Sequence, residues 1–254
     1  MKTTIHTLKQ KKQNKEKIVC LTAYDYYIAS LLDEAGYDLI LVGDSLGMVF
    51  YGYETTLPVT VDEMLYHTKA VSGAAKNALV VADMPFLSYQ ASKEDAIRNA
   101  GRFLKEANAN AVKLEGGSEM CDTIKAVIDA GIPVLGHIGL MPQSVHKLGG
   151  YKMQGKDKKG AEKLINDAIA LDNAGCFGVV LECIPEELAR DITEKISIPT
   201  IGIGAGQYCD GQILVVNDML GYNSKKAPKF AKRYADVDGI FKKAFEEYKK
   251  EVQR

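Results

Sequence analysis

The feature that most constrains the fold of this sequence is an apolar run that ends in a carboxylate. Residues 39–42 read Leu-Ile-Leu-Val and are followed by Gly43, Asp44 and Ser45. An apolar run of this length is typical of a strand that is buried on both faces, as in a parallel sheet covered by helices. The pattern therefore places Asp44 and Ser45 where a buried strand ends.

Three later apolar runs have the same form: one ends in Asp83, one in Lys113 and Glu115, and one in Glu182. A single acidic residue in such a place is commonly a helix N-cap or a turn former. Four strand-like runs that all carry ionisable groups at their carboxyl ends are too regular for turn chemistry alone. We therefore expect these side chains to share one site, because the carboxyl ends of parallel strands lie at the same edge of a sheet.

The chain alternates strand-like and helix-like segments. Apolar runs place strands at residues 18–24, 39–42, 78–84, 111–115, 132–139, 177–183, 198–206 and 212–218. Helical spacing and capping signals place helices at residues 25–36, 61–75, 92–108, 120–130, 161–174, 185–196 and 236–252, and a short helix fits the polar lead-in. Eight such units predict an α/β fold, one (β/α)8 TIM barrel domain over residues 1–254, with an open doubly wound sheet as the alternative.

Composition argues against several function classes. The 32 basic and 33 acidic residues leave a net charge of -1, which gives no electrostatic argument for a nucleic-acid or anionic membrane partner. The five cysteines form no Cys-x-x-Cys pair and signal neither a disulfide framework nor a thiolate zinc site. The sequence shows no secretory signal and no apolar run near the roughly 18 residues that span a bilayer. We expect a cytoplasmic protein that binds a small charged molecule.

Three of the carboxylates indicate a metal site. Asp44, Asp83 and Glu115 end three consecutive predicted strands, so they converge on one sector of the barrel mouth. Carboxylates this close repel one another unless a cation or shared protons neutralise them. Oxygen ligands without a nearby cysteine favour Mg²⁺ or Mn²⁺ over zinc or copper. The alternative is a structural network in which Lys113 and other cations pair with these acids.

Two further side chains suit the carboxylate of a substrate. Lys113 lies two residues before Glu115, so both point to the same side of a strand. A lysine in this place either neutralises a substrate carboxylate or forms an ion pair with its acidic neighbours. Ser45 either donates a hydrogen bond to the substrate or serves only the glycine-flanked turn.

Glu182 is the candidate general base. It ends the sixth predicted strand, and the apolar residues before it disfavour the charged form of a carboxylate, which suits a group that accepts a proton from carbon. The alternative is a negative charge that stabilises the amino end of the next helix. His137, at the end of the fifth predicted strand, either contacts the substrate or orients a neighbour.

Two irregular segments border the predicted mouth. Residues 140–160 have no clear period, which is typical of a substrate-covering lid or of an unrecognised helix. The glycine-rich residues 202–206 resemble the phosphate-binding turns of other barrels, although no glycine turn follows the eighth predicted strand. Mg²⁺ beside a general base, without a Cys or Ser nucleophile motif, favours removal of the proton on the carbon next to the keto group of a 2-oxo acid.

Several longer motifs resemble those of the ketopantoate hydroxymethyltransferase family. They lie, in order, at residues 42–48, 55–60, 66–69, 82–86, 112–117, 136–143, 202–206 and 210–212, followed by Asp218. The resemblance is specific because these motifs are independent and keep similar order and spacing over nearly the whole chain. One departure is Asn217, where the family commonly carries His.

The resemblance implies a cytoplasmic barrel of the phosphoenolpyruvate/pyruvate superfamily type. It implies transfer of a hydroxymethyl group from the co-substrate 5,10-methylenetetrahydrofolate to 3-methyl-2-oxobutanoate, which gives ketopantoate for pantothenate and coenzyme A biosynthesis. It also implies a homo-oligomer, often a decamer.

The resemblance also implies roles for single residues. Asp44 and Asp83 would bind Mg²⁺, and Glu115 would reach the ion directly or through water. The same two aspartates, together with Ser45 and Lys113, would hold the 2-oxo acid. Glu182 would be the base.

Three other functions stay open. A C–C lyase or mutase of the same superfamily would share the metal site, but such enzymes usually carry a catalytic cysteine motif that this sequence lacks. A phosphate- or flavin-binding barrel would use residues 202–206. A non-catalytic barrel would be expected to have lost at least one of the four acidic residues, and all four are present.

Overall fold

A computed structural model describes residues 2–223 and 227–254, and in this part of the chain eight parallel strands form a closed barrel in sequence order. The strands are β1 (Ile18–Thr22), β2 (Leu39–Val42), β3 (Leu79–Asp83), β4 (Ala111–Glu115), β5 (Val134–Gly139), β6 (Gly178–Glu182), β7 (Thr200–Ile203) and β8 (Gly211–Gln212). Strands β1 and β8 pair with each other and close the sheet. The predicted (β/α)8 barrel is therefore confirmed, and the open sheet is excluded.

Helices cover most of the outside of the barrel. They are α1 (Ile5–Gln13), α2 (Tyr26–Glu34), α3 (Leu46–Val49), α4 (Val61–Ala74), α5 (Lys93–Ala107), α6 (Cys121–Asp129), α7 (Val145–Leu148), α8 (Lys158–Ala174), α9 (Glu186–Lys195), α10 (Val216–Leu220) and α11 (Val237–Val252). Helix α1 is the predicted short helix of the lead-in, and its Leu8 is buried in the apolar cluster that fills the barrel. Among the described helices, none is both long and apolar enough to cross a membrane.

The period of two along each strand decides which side chains face the barrel interior. In β2, Leu39 and Leu41 belong to the cluster inside the barrel, and Ile40 belongs to the layer between strands and helices. Both faces of this strand are buried, as its unbroken apolar run predicts. The same alternation turns Lys113 and Glu115 of β4 to one side, where both line the cavity at the barrel mouth.

The predicted eighth strand, residues 212–218, is wrong beyond Gln212. Strand β8 has two residues, and the chain then turns into α10, so Asn217 and Asp218 lie on a helix. The hydroxyl oxygen of Thr22 accepts a hydrogen bond from the backbone N–H of Val216 at 3.0 Å, where that helix starts. The apolar residues after Gln212 are compatible with a strand or a helix. Their local pattern does not reveal the contact with β1 that favours the helix.

The irregular segment 140–160 contains short helical pieces. A 3-10 turn (Pro142–Ser144) and α7 lie within it, and α8 begins at Lys158 rather than at the predicted residue 161. Asp157 is the reason for the early start, because its carboxylate accepts the N–H of Gly160 and caps the helix.

Candidate active site

One cavity of about 710 Å³ opens at the carboxyl ends of the strands. Its lining includes every predicted site residue: Asp44, Ser45, Asp83, Lys113, Glu115, His137 and Glu182. The structure therefore brings together side chains that lie on β3 to β6 and in the turn after β2. The contacts of each side chain indicate what it can do.

Lys113 is the cationic centre of the mouth. Its Nζ atom lies 2.7 Å from Asp83 Oδ1 and 3.7 Å from Glu115 Oε1. Burial lowers the pKa of Lys113, but the charges of Asp83, Glu115 and Asp44 outweigh burial and raise the pKa above its usual value. Burial raises the pKa of Glu115, and Lys113 and His137 more than reverse this, so that this carboxyl has a lowered pKa. Lys113 and Glu115 are thus held in their charged forms.

Asp44 has the least compensated charge of the group. Its backbone N–H donates to Asp83 Oδ2 at 3.3 Å, which holds the two aspartates side by side. Burial and then the charge of Asp83 raise the pKa of Asp44 well above its usual value, because Lys113 compensates only part of the repulsion. Burial likewise raises the pKa of Asp83, which Lys113 lowers only in part. A further positive charge beside this pair would stabilise both ionised carboxylates.

The aspartate pair suits an Mg²⁺ ion, and Glu115 lies beside Lys113. Among the described residues, no three His, Cys, Asp or Glu side chains are arranged to hold a metal ion by themselves. Lys113 contacts both Asp83 and Glu115 instead. Mg²⁺ keeps several waters and is often bound through one or two carboxylates. In addition, Asp83 Oδ1 and Glu115 Oε1 are buried and have no aligned hydrogen bond within the described chain. The ligand set Asp44, Asp83 and Glu115 stays a prediction.

His137 connects the acid cluster to Glu182. Its Nδ1 lies 3.5 Å from Glu115 Oε1, and its Nε2 lies 3.3 Å from Glu182 Oε2. Burial and the charge of Lys113 lower the pKa of His137, but the two carboxylates outweigh them and raise this pKa to about 9. The two carboxylates therefore favour the charged form of the imidazole, and Lys113 Nζ lies 3.3 Å from its Nδ1. Glu182 keeps 16% exposure of its side chain, whereas Glu115 keeps 3%, so Glu182 is open to a molecule in the cavity.

Ser45 faces the cavity from the start of α3, where it does not cap the helix with its side chain. Its hydroxyl is bonded instead to the hydroxyl of the buried Tyr24, at 2.8 Å. Gly43 leaves room for this arrangement, since a Cβ atom at that position would lie 2.8 Å from Ser45 Oγ. The turn predicted to follow β2 thus positions a serine hydroxyl next to Asp44.

Gln143 and Tyr89 contact the acid cluster, and no local pattern in the sequence predicts these contacts. The Gln143 side-chain amide donates to Asp44 Oδ2 at 3.0 Å and to the carbonyl of Met84 at 2.9 Å. The backbone N–H of Gln143 donates to Glu115 Oε2 at 3.1 Å, so this residue holds two carboxylates at once. Tyr89 donates to the amide oxygen of Gln143 at 2.7 Å and accepts the N–H of Glu115 at 3.0 Å.

The cavity also has an apolar and aromatic part of its lining. Met48, Tyr151, Met153 and Phe230 belong to it, and Asp218 is a further acidic residue of the lining. Tyr151 and Met153 come from the segment 140–160 that we predicted as a lid, and this role stays a prediction. Asn217 is buried, and it is not among the residues that line the cavity.

The glycine-rich segment 202–206 accommodates protein side chains. A Cβ atom at Gly204 would lie 2.7 Å from the ring of Phe230, and one at Gly206 would overlap the side chain of Glu186. Both glycines have positive φ angles, so a side chain at either position would also strain the backbone. These contacts account for the glycines without a bound phosphate.

Solved structures share the fold at low sequence identity. A 2,3-dimethylmalate lyase, described as a member of the PEP mutase/isocitrate lyase superfamily, aligns with a TM-score of 0.64 and 16% identity over 100% of this chain and 88% of its own. A phosphonopyruvate hydrolase in complex with oxalate and Mg²⁺ aligns with a TM-score of 0.62 and 12% identity over 84% of this chain and 80% of its own. These similarities show that the chain shares the barrel fold of those proteins.

Similar sequences identify the family. Proteins named 3-methyl-2-oxobutanoate hydroxymethyltransferase are 60% identical in Syntrophomonas wolfei and 58% identical in Clostridium acetobutylicum. These alignments cover 99% and 100% of this chain and 91% and 92% of the relatives. The model of the family described as ketopantoate hydroxymethyltransferase matches residues 2–254. The chain therefore belongs to the ketopantoate hydroxymethyltransferase family, as its motifs predict.

Proposed function

We propose that this protein transfers a hydroxymethyl group from 5,10-methylenetetrahydrofolate to 3-methyl-2-oxobutanoate. With water, the products are 2-dehydropantoate (ketopantoate) and tetrahydrofolate, in pantothenate and coenzyme A biosynthesis in the cytoplasm. The observation that carries the proposal is the family match over residues 2–254, together with the cavity in which Lys113 and the predicted carboxylates meet. The proposal includes the folate as donor, Mg²⁺ as the metal and Glu182 as the base.

The inner end of the cavity suits the 2-oxo acid. Lys113 is positively charged and neutralises part of the substrate carboxylate, and the Ser45 hydroxyl donates a hydrogen bond to it. Asp44 and Asp83 would hold Mg²⁺, with Glu115 reaching the ion directly or through water. When bound, Mg²⁺ polarises the keto group and stabilises the negative charge that develops there.

Glu182 is the proposed base, and His137 positions it. His137 Nε2 lies 3.3 Å from Glu182 Oε2 and faces the carboxylate without an aligned hydrogen bond, so its position favours one side of the carboxylate. Glu182 takes the proton from C3 of the substrate, and the electron pair of the broken C–H bond then forms the new bond to the one-carbon unit of the folate. The two bonds from this carbon to the folate nitrogens break, and water supplies the hydroxyl group. The proton taken from C3 and the second proton of the water end on the two nitrogens, which gives tetrahydrofolate.

The first experiment is proton NMR of 3-methyl-2-oxobutanoate in D₂O with the protein and Mg²⁺, with and without EDTA. We expect metal-dependent loss of the C3 proton signal. Glu182→Gln should slow this exchange by about 10² to 10⁴-fold while the 2-oxo acid still binds, because only the proton acceptor is removed. Glu187→Gln is the matched control, since Glu187 lies on α9 with 66% exposure of its side chain.

Two results would contradict this assignment. Equal exchange rates in Glu182→Gln and in the unmodified protein would move the base to another residue, with His137 as the next candidate. No exchange in the unmodified protein, with or without tetrahydrofolate, would overturn the proposed substrate and favour the lyase.

We also propose a homo-oligomer, with the decamer as the expected form. Helix α11 supports this, because none of its residues is buried and Ile240, Phe241, Phe245 and Tyr248 are exposed along it. Exposed apolar groups of this extent are typical of a surface that a partner covers. Light scattering coupled to size-exclusion chromatography measures the molar mass, and a monomer at micromolar concentration would contradict the proposal.

A further inference from the structure

Asp218 is a buried carboxylate that lines the cavity from the segment after β8, whereas Asp44, Asp83 and Glu115 come from the turn after β2 and from β3 and β4. It lies on α10 and is 7% exposed. Within residues 2–223 and 227–254, the Asn223 side-chain amide donates a hydrogen bond to it, but burial still raises the pKa of Asp218. A buried carboxylate with one donor is costly, and N–H groups of a ligand would reduce that cost.

The cavity has room for a second ligand beside the 2-oxo acid. Its volume of about 710 Å³ is in the range of sites for drug-sized molecules and exceeds what a small 2-oxo acid occupies. Burial raises the pKa of the Tyr24 hydroxyl, and the charges of both Asp218 and Asp44 raise it further, so both carboxylates are within electrostatic reach of this one group.

Apolar and aromatic side chains line the same cavity. Phe230 is 39% exposed, and its ring lies against the backbone of Gly204, where no side chain larger than hydrogen fits. Met153 comes from the segment between β5 and α8, and Met48 from α3. A flat ring with apolar faces and a polar edge matches this combination of aromatic walls and one carboxylate.

We propose that Asp218 binds the N–H edge of the pterin ring of the folate co-substrate, with Phe230 against a face of the ring. The N3–H and 2-amino groups of a pterin are two adjacent donors, which a carboxylate accepts in the same way as it accepts a guanidinium group. The proposal rests on the proposed function, because that function supplies the folate. It assigns the part of the cavity beside Asp218 to the folate and the part beside Lys113 to the 2-oxo acid.

The test separates the two ends of the cavity. We expect Asp218→Asn to raise the Kd for tetrahydrofolate roughly 10- to 100-fold, the loss expected for charged hydrogen bonds in a buried site. C3 proton exchange of 3-methyl-2-oxobutanoate, measured without folate, should be unchanged. Asp167→Asn is the control, because Asp167 is buried and accepts from Ser118 on the outer layer, outside the cavity lining.

A second measurement needs no variant. The unmodified protein should bind 6-methylpterin at least about tenfold more tightly than 6-methyllumazine, in which a carbonyl replaces the 2-amino donor and would face the carboxylate. Asp218→Asn should lose this preference. Equal binding of the two compounds by the unmodified protein would overturn the pterin assignment, even if the variant does not fold.

The remaining outcomes are distinct. Tetrahydrofolate binding by Asp218→Asn that equals that of the unmodified protein would overturn the pterin site and leave the proposed function standing. Slower C3 exchange in a folded Asp218→Asn would show that Asp218 acts on the 2-oxo acid and would also overturn the site. Absence of both exchange and folate binding in the unmodified protein would mean that the proposed function itself has failed.

Discussion

Tyr89→Phe removes a single oxygen atom and should lower the free energy of unfolding, because this oxygen holds side chains next to the acid cluster. Tyr89 is 1% exposed, donates to Gln143 Oε1 at 2.7 Å and accepts the N–H of Glu115 at 3.0 Å. Phenylalanine keeps the ring and its packing but leaves two buried polar groups without this partner. Each such group costs about 1–2 kcal/mol, so we expect the free energy of unfolding to fall by about 2–4 kcal/mol.

The change should also reach Asp44 through Gln143. The tyrosine hydroxyl fixes the amide oxygen of Gln143 and thereby turns its NH₂ group toward Asp44 and the Met84 carbonyl. Burial and then the charge of Glu115 raise the pKa of Tyr89 well above its usual value, so the phenol stays a donor throughout the working pH range. Without it the amide can rotate, and we expect a higher KM for the 2-oxo acid.

Urea unfolding of the unmodified protein and two variants tests this reasoning. Tyr66→Phe is the matched control, because Tyr66 is 78% exposed and should lose less than about 0.5 kcal/mol. In a double-mutant cycle, Tyr89→Phe and Gln143→Leu should be less than additive, since they remove the same hydrogen bond. If Tyr89→Phe costs no more than Tyr66→Phe, the hydroxyl does not orient Gln143 and the argument is refuted.

Two other predictions concern single carboxylates. Asp83→Asn should abolish Mg²⁺-dependent C3 exchange and weaken Mn²⁺ binding in a calorimetric titration, with far-UV circular dichroism unchanged; full exchange without added metal would exclude this ligand. At the bottom of the barrel, burial raises the pKa of Asp33, but the N–H groups of Ala78 and Asn77 outweigh burial and lower it below its usual value. The stabilisation is therefore complete above the ordinary Asp pKa of about 4 and is lost as the pH falls through the lowered value. Asp33→Asn should cost about 1–2 kcal/mol at pH 7 and less below pH ~4, as measured by urea unfolding; a cost independent of pH would contradict the charge-based explanation.

The sequence could predict those parts of the site that depend on the pattern of apolar residues along a single strand. An apolar run buried on both faces places Asp44 at the end of one strand and Asp83 at the end of the next, and a period of two places Lys113 on the same side as Glu115. Closure of the barrel then brings the ends of the strands to one cavity. No contact between distant residues had to be known for this inference.

The parts that it could not predict depend on contacts between distant side chains. Tyr89 and Gln143 are 54 residues apart and meet only because the loops after β3 and β5 converge. The end of β8 depends on a hydroxyl of β1, since Thr22 accepts the N–H that opens α10. Asp218 was therefore predicted on a strand but lies on a helix, and its position in the cavity lining could not be predicted from the sequence.

The charges around Lys113 and His137 explain why the four acidic residues differ, although each follows a similar apolar run. They decide which acid suits a metal ion and which suits the role of base. Among the described side chains there, Asp44, Asp83, Glu115 and Glu182 face Lys113 and His137. Lys113 contacts Asp83, Glu115 and His137, and His137 also contacts Glu115 and Glu182. With all six groups charged, two negative charges would be left over, which is the charge that one Mg²⁺ ion would neutralise. The raised pKa of Asp44, which neither cation contacts closely, indicates where that positive charge is most needed.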